Sequence, residues 1–249
     1  MVANKSISAA KIRTDVHEMI LESGKRIKYV APRNIAMLKD ALTIMRPVER
    51  SLLGDHTTDD WEGVQDFCQA MDDMIEVEMD RELFLGKKVL EIGFCTGLPS
   101  AFALQRGAKE VEIYCDSQAA LECYIKPTLR RNNVRPEKYK IVSALHLSSI
   151  DASLNGYDVI LAPEIIRNTE ENLEVFHSIF ERVLKDGGII LLMGRTYYND
   201  YDGNIPSFMD FVKSKGQFDA IIRWTSQNQK KEQQEVAPRK MIQITRCIR

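Results

Sequence analysis

From Lys87 onward the sequence alternates short apolar runs with longer amphipathic segments, and this alternation narrows the fold more than any other feature. The runs are Lys88–Gly93, Val111–Asp116, Lys140–Ala144, Tyr157–Ala162, Gly188–Gly194, Phe218–Trp224 and Lys240–Cys247. All are strand-sized. Between them lie helical segments at Leu98–Arg106, Gln118–Asn132, Glu170–Lys185 and Ile205–Lys215. In Glu170–Lys185 the residues Leu173, Phe176, Ile179, Phe180, Val183 and Leu184 form one apolar face, and Asp186-Gly187-Gly188 ends it. Strands alternating with helices build βαβ units, so the expected class is α/β: a mostly parallel sheet with helices on both faces. Such sheets bind ligands outside the carboxyl ends of their strands, near the switch in strand order. The polar stretch Gln227–Gln234 reads as an exposed hairpin loop joining the last two strands.

Before Lys87 the pattern differs, and residues 1 to 83 read as helical. Ile12, Val16, Met19 and Ile20 recur at helical spacing, a second helix spans Asn34–Met45 ahead of Pro47, and a third spans Asp59–Arg81. This divides the chain into a helical extension, residues 1–55, and an α/β domain, residues 56–249. No apolar run reaches the roughly 18 residues that span a bilayer, and MVANKSISAAKIRTD lacks the apolar core of a secretory signal, so no membrane association is expected. With 34 basic against 36 acidic residues, a protein devoted to nucleic-acid binding is disfavoured. None of the five cysteines (Cys68, Cys95, Cys115, Cys123, Cys247) sits in CxxC spacing. That argues against a structural zinc site or a disulfide framework and fits a reducing cytoplasm or nucleus. No exposed heptad or apolar seam suggests an oligomer, so a monomer is expected.

The segment KKVLEIGFCTGLPS, Lys87–Ser100, is a strand, a glycine turn and a helix start. Glycine permits positive φ and close approach of a ligand to the main chain, and the following helix presents N–H groups to an electron-rich ligand. A phosphate-binding P-loop would end in Gly-Lys-Ser/Thr, whereas this turn ends in Gly97-Leu98-Pro99. A dinucleotide fingerprint needs G-x-G-x-x-G, and Cys95 and Leu98 occupy its second and third positions. The acidic-x-G-x-G-x-G turn of S-adenosylmethionine enzymes fits better: Glu91, Gly93 and Gly97 match, and Cys95 replaces the middle glycine. Asp116 closes the next strand, and an acid about 20 residues past the first glycine typically binds ribose hydroxyls. The competing assignment for Asp116 is a strand-end residue opening a turn.

On these residues the chain resembles the seven-stranded, Rossmann-like class I methyltransferases. More narrowly, it resembles the protein-histidine methyltransferases of the METTL18/Hpm1 type within the METTL21-like lysine and histidine group. The carrying segments are Asp60-Trp61-Glu62-Gly63, the glycine turn, YCDSQ, YDVILAPEII, and VFHSIFERVLKDGGIILLMGRTYY. The resemblance covers residues 56 to 249 and implies S-adenosyl-L-methionine as cofactor. It also implies a protein substrate with histidine as first target and lysine as second, and Trp61 in the element that folds over the cofactor. In that group the fourth strand ends in an acid-x-x-aromatic motif lining the substrate channel. Here it reads Glu164-Ile165-Ile166-Arg167, so Arg167 replaces the aromatic residue.

With Cys95, Arg167 leaves three outcomes open: a weakened enzyme, a shifted substrate (small molecule or RNA), or a catalytically silent binding module. If the chain is active, Glu164 is the expected catalytic carboxylate, accepting the far N–H of a substrate imidazole. A helix N-terminal carboxylate is the plainer alternative. Trp61 serves equally as a core anchor. Tyr197 and Tyr198 either line the channel or cap the core, His146 reads as a loop histidine and His177 as structural. Asp55–Glu82 holds eleven acidic residues against Arg81 alone. Such a run is usually a solvated face, and the sharper expectation is that it steers a basic substrate such as a ribosomal protein to the site.

Overall fold

The structure, a computed structural model, describes residues 14–32, 58–115, 117–167, 170–198, 203–226, 230–231, 234–235 and 237–247. Its centre is a seven-stranded sheet built from β3 (Lys88–Glu91), β4 (Glu110–Tyr114), β5 (Tyr139–Val142), β6 (Tyr157–Pro163), β7 (Leu184–Arg195), β8 (Phe218–Thr225) and β11 (Arg239–Arg246), in the order β5-β4-β3-β6-β7-β11-β8. The first five in that order pair in parallel, and β11 is antiparallel to both β7 and β8. The connection between β8 and β11 carries a small ladder of β9 (Lys230–Lys231) with β10 (Gln234–Glu235), as a hairpin requires.

Successive residues of the central strands go to opposite faces. Val89, Val159, Leu161, Leu191 and Met241 enter one core, and Leu90, Ile160, Ile190, Leu192 and Ile242 the other. Burial on both faces is why these strands read as continuous apolar runs in the sequence. The first core is covered by α1 (Thr58–Glu76), α2 (Leu98–Gln105) and α3, which has three stretches, Gln118–Ala120, Leu121–Ile125 and Lys126–Arg131. The second is covered by α4 (Ala144–Ser148), α6 (Glu170–Val183) and α7 (Ile205–Lys215), and the short α5 (Ala152–Asn155) lies against β7. The middle stretch of α3 is π-helical, with the Lys126 N–H donating to the Leu121 carbonyl. Pro127 explains it: without an N–H, and with a ring that crowds the carbonyl four residues back, it forces the turn to widen.

The expected first helix is a correction. Thr14–Ile20 is β1 and Arg26–Pro32 is β2, an antiparallel hairpin. Residues 14–32 are therefore not a helical extension, and they share the first core through Leu21, Ile27, Tyr29 and Ala31. The hydrophobic residues at helical spacing misled because Val16 and Ile20 are exposed, whereas His17 faces Tyr29 across the strands with the rings stacked 5.1 Å apart. Cross-strand pairing and docking outweigh local periodicity here. The outer edge of β2 is also satisfied: its Val30 N–H donates to Thr128 Oγ1 at 3.0 Å and its Lys28 N–H to Asn132 Oδ1 at 3.1 Å. The expected helix Asn34–Met45 lies outside the described residues.

The third expected helix forms as α1, ending at Glu76. Its Trp61, Val64, Phe67, Met71 and Met74 are buried along one stripe. The acids of α1 and of the residues just after it are largely partnered, although Glu76 and Glu78 stay 45% and 39% exposed. Asp72 and Glu76 both bind Arg106 of the α2 end, Asp66 binds Arg239, Glu78 binds Arg223, and Asp73 accepts from Trp224 Nε1 at 2.9 Å. Cations and donors from α2, β8 and β11 thus occupy much of the acidic run, which weakens its expected role in steering substrates.

On the opposite face His177 is buried between Phe211 and Phe218, edge-on to both rings, and its Nε2 has no hydrogen-bond partner among the described residues. Burial holds its pKa below the ordinary 6.5, against the pull of Glu181 and Glu174 and with a lowering push from Lys215. The folded protein then takes up this proton less readily than the unfolded chain, so stability is lost as pH falls below about 6.5. Thermal melts of wild type and His177→Phe at pH 7.5 and 5.5 check this. The substitution is expected to reduce the acid-induced drop, and equal drops in both proteins would refute the assignment.

Candidate functional site

The strand order reverses between β3 and β6, and the carboxyl ends of these two strands form the switch point. There the chain leaves β3 through the glycine turn. Gly93 has φ +111, and a Cβ on it would stand 2.5 Å from the Pro163 carbonyl oxygen, which accepts the Phe94 N–H at 2.9 Å. Gly97 has φ +75 and packs on Ile125 of the π turn. Both glycines therefore answer to backbone geometry and close packing.

Glu91 organises this turn. Its side chain is fully buried, and Oε1 accepts the N–H groups of Thr96 and Gly97, both at 3.0 Å. Oε2 accepts the Ser100 N–H at 3.0 Å and the Ser100 hydroxyl. Burial pushes the Glu91 carboxyl above its ordinary pKa, and these four donors pull it down. The expectation that N–H groups at the start of α2 await a ligand is corrected for these three positions, because Glu91 already takes them. Cys95 does not need to be glycine: it is not among the residues with positive φ, it is buried, and its thiol donates inward to the Glu91 carbonyl at 3.5 Å. The side chain at the middle position is thus folded into the protein.

At the carboxyl ends of β4 and β5 lies a cleft of ≈ 450 Å³ lined by Cys115, Lys140, Ile141, Val142, Ser143 and His146. His146, expected to be a loop residue, lies within α4, where its main-chain N–H donates to the N-cap Ser143, and its ring sits 3.0 Å from Glu112 Oε2. Glu112 also accepts from Tyr157 OH at 2.6 Å and pairs with Lys88 at 3.1 Å. Burial raises the Glu112 pKa, but the hydrogen bonds from Tyr157 and Lys88 and the Lys88 charge outweigh it, so the carboxyl stays below its ordinary range. Asp116, expected to bind ribose, lies outside the described residues, directly after Cys115 of this cleft.

Trp61 is 2% exposed and wedges α1 against the turn. Its ring meets Phe94 edge-on at 5.2 Å and Tyr124 at 5.4 Å, with Tyr29 of the hairpin stacked at 6.2 Å. The core-anchor assignment therefore describes it, at a position adjoining the glycine turn.

Glu164 differs from its expected placement. Its side chain has no exposed surface and so does not line an open channel. Tyr198 OH donates to its Oε2, and Arg239 Nε donates to Oε1 at 3.3 Å. Burial in the ion pair turns the carboxylate inward, onto Gly63 of α1, where a Cβ would stand 2.0 Å from Oε1. The two tyrosines part company: Tyr198 is buried in this network, and Tyr197 is 59% exposed at the end of β7. Arg167 ends a 3₁₀ turn, Ile165–Arg167, and its side chain lies outside the described part of the structure.

No protein-family model matches the chain. Over 233 residues it is 38% identical to the uncharacterized protein F22B7.9 of Caenorhabditis elegans, a match covering 93% of each protein. The chain belongs to the family of that nematode protein. A second relative is the histidine protein methyltransferase 1 homolog of Bos taurus, 28% identical over 166 residues, which are 55% of this chain and 44% of that protein. Among solved structures, the T. Thermophilus 16S rRNA N2 G1207 methyltransferase in complex with AdoMet and guanosine matches with a TM-score of 0.56 at 14% identity, over 94% of this chain and 51% of that one. The fold is that of the Rossmann-like methyltransferases.

Sequence reasoning missed Arg239, Asp66 and Tyr124 of this family member. Arg239 lies 75 positions from Glu164 and 173 from Asp66, so no local pattern joins them. The available signal was an arginine opening a strand whose Met241, Ile242 and Ile244 mark it as buried, a position that calls for a buried partner.

Proposed function

We propose that this chain is an S-adenosylmethionine-dependent methyltransferase acting on a protein side chain, histidine first and lysine second, in the cytoplasm or nucleus. The observation that carries the reading is the glycine turn anchored by Glu91 at the switch point between β3 and β6, beside the cleft at the ends of β4 and β5. The relationship to the bovine histidine protein methyltransferase homolog supports the protein substrate.

The residues present suit this cofactor. The cleft joins apolar walls, Ile141 and Val142, to polar groups at Ser143 and His146, as a purine with hydrogen-bonding edges requires. The inward thiol of Cys95 leaves the turn's outer side to the main chain. Beside the turn, the buried Tyr124 hydroxyl has no partner among the described residues, a costly arrangement that a polar ligand group would relieve. The cofactor would be held by the turn Gly93–Gly97, the cleft residues and Asp116.

When bound, the cofactor supplies an activated methyl group on a sulfonium, and the protein's share is binding and orientation. Glu91 keeps the turn rigid, so the backbone facing the cofactor is preorganised. A histidine target, with an ordinary pKa of about 6.5, is largely neutral at pH 7 and needs no prior proton removal, whereas lysine does.

Calorimetry with S-adenosylmethionine and its demethylated product tests the cofactor, and labelling of cell extracts with methyl-tritiated cofactor tests the substrate. Binding together with label on protein histidine is expected. Label on RNA or small molecules instead would overturn the protein substrate, and absence of binding would leave a silent module.

A further inference from the structure

The network around Glu164 joins the carboxyl end of β6 to α1 and to the start of β11. Glu164 has φ +53, a left-handed conformation that strains a non-glycine residue. Its carboxylate shares the Arg239 guanidinium with Asp66, which Arg239 Nη1 meets at 2.9 Å. Asp66 and Gly63 are one turn apart on α1, and Trp61, just before them, abuts Phe94 of the glycine turn. The Arg239 side chain is 5% exposed. Tyr198 closes the remaining side, its hydroxyl donating to Glu164 and accepting the Arg195 N–H at 2.9 Å.

Stability alone does not account for this. A buried ion pair gains little over well-packed apolar side chains, because desolvation offsets the attraction. Strained backbone and buried charge coincide here at the carboxyl edge of the sheet, where strain collects in functional sites. Only a planar fork reaches two carboxylates from different elements at once, a geometry that lysine lacks.

We infer that Glu164, Arg239 and Asp66 form a latch that presses α1 onto the carboxyl end of β6 and the amino end of the antiparallel β11, and that Arg239 is thereby a positioning residue for the cofactor, acting through Trp61 on the glycine turn. The latch rests on the cofactor reading above, and it replaces direct contact of Glu164 with the substrate.

The test compares Arg239→Met, Arg239→Lys and the double variant Glu164→Gln/Arg239→Met with wild type. The readouts are calorimetric affinity for S-adenosylhomocysteine and hydrogen exchange of the α1 amides Val64–Met74. Arg239→Met is expected to weaken binding about tenfold or more, as small misplacements do, and to deprotect α1. Arg239→Lys should not rescue either effect. The double variant leaves no charge at positions 164 and 239, and only the partly exposed Asp66 loses its partner, so it should regain part of the melting temperature without regaining affinity, and it carries the test if Arg239→Met does not fold. Affinity within twofold of wild type in the folded variants would overturn the latch, as would a lowered melting temperature with unchanged affinity. Wild type that binds no S-adenosylhomocysteine would sink the cofactor reading instead. Exchange then decides the latch alone, and unchanged α1 protection would overturn it.

Discussion

Glu91→Gln is expected to lower the melting temperature by on the order of 10 °C and to abolish cofactor binding. The carboxylate accepts four hydrogen bonds with no access to water. An amide of the same size keeps one acceptor oxygen and turns an NH2 group toward donors. Whichever way it is flipped, at least two buried N–H or O–H donors lose their acceptor. Each donor left unmade costs about 1–3 kcal/mol, so the loss is roughly 3–4 kcal/mol. In a chain of this size each kcal/mol moves the melting temperature by about 2–4 °C. The affected donors belong to Thr96, Gly97 and Ser100, so the damage falls on the turn itself. Differential scanning calorimetry with and without S-adenosylhomocysteine measures both effects. A shift under 3 °C with binding intact would show that the turn holds its shape without the carboxylate.

Gly93→Ala should be as severe, through the backbone. The alanine would have to keep φ +111, and its methyl would meet the Pro163 carbonyl at 2.5 Å. That oxygen also accepts the Phe94 N–H, so it cannot retreat without breaking the bond between the turn and β6. Strain of about 1–3 kcal/mol adds to a steric cost of about 1–3 kcal/mol. Gly24 is the internal control: its φ is +78, but a methyl there meets nothing within 4 Å. Gly24→Ala should therefore cost only the backbone share, about 1 kcal/mol. Parallel denaturant titrations separate the two, and equal losses would mean that the contact with Pro163 contributes nothing.

Much of the site was legible because its elements are local. Strand β3 with Glu91 and the two glycines lie within ten consecutive residues, Lys88–Gly97, and backbone geometry alone requires that order. What Glu91 does there was not legible: the strand-turn-helix pattern says that an acid is wanted, not that it satisfies the turn's own N–H groups. The same holds for Cys95, whose substitution for glycine looked like an obstruction until its thiol was seen to face inward. The acidic run in α1 was read as one feature because the residues are contiguous, yet its members bind partners on α2, β8 and β11.

By itself the sequence determined the seven sheet strands and four of the helices after Lys87, since a strand buried on both faces must be apolar throughout and an amphipathic helix must repeat every 3.6 residues; the short helices α4 and α5 left no such repeat. It also determined the turn that starts α2. Only the tertiary structure decided that residues 14–32 form a hairpin, that Glu164 turns inward to Arg239, and that α1 is fastened over the site. Each depends on partners distant in the chain, Tyr29 against Trp61, Thr128 under Val30, Arg239 between Glu164 and Asp66. Long-range pairs of this kind leave no periodicity in the sequence, because the free energy that selects them exists only once the sheet has brought them together.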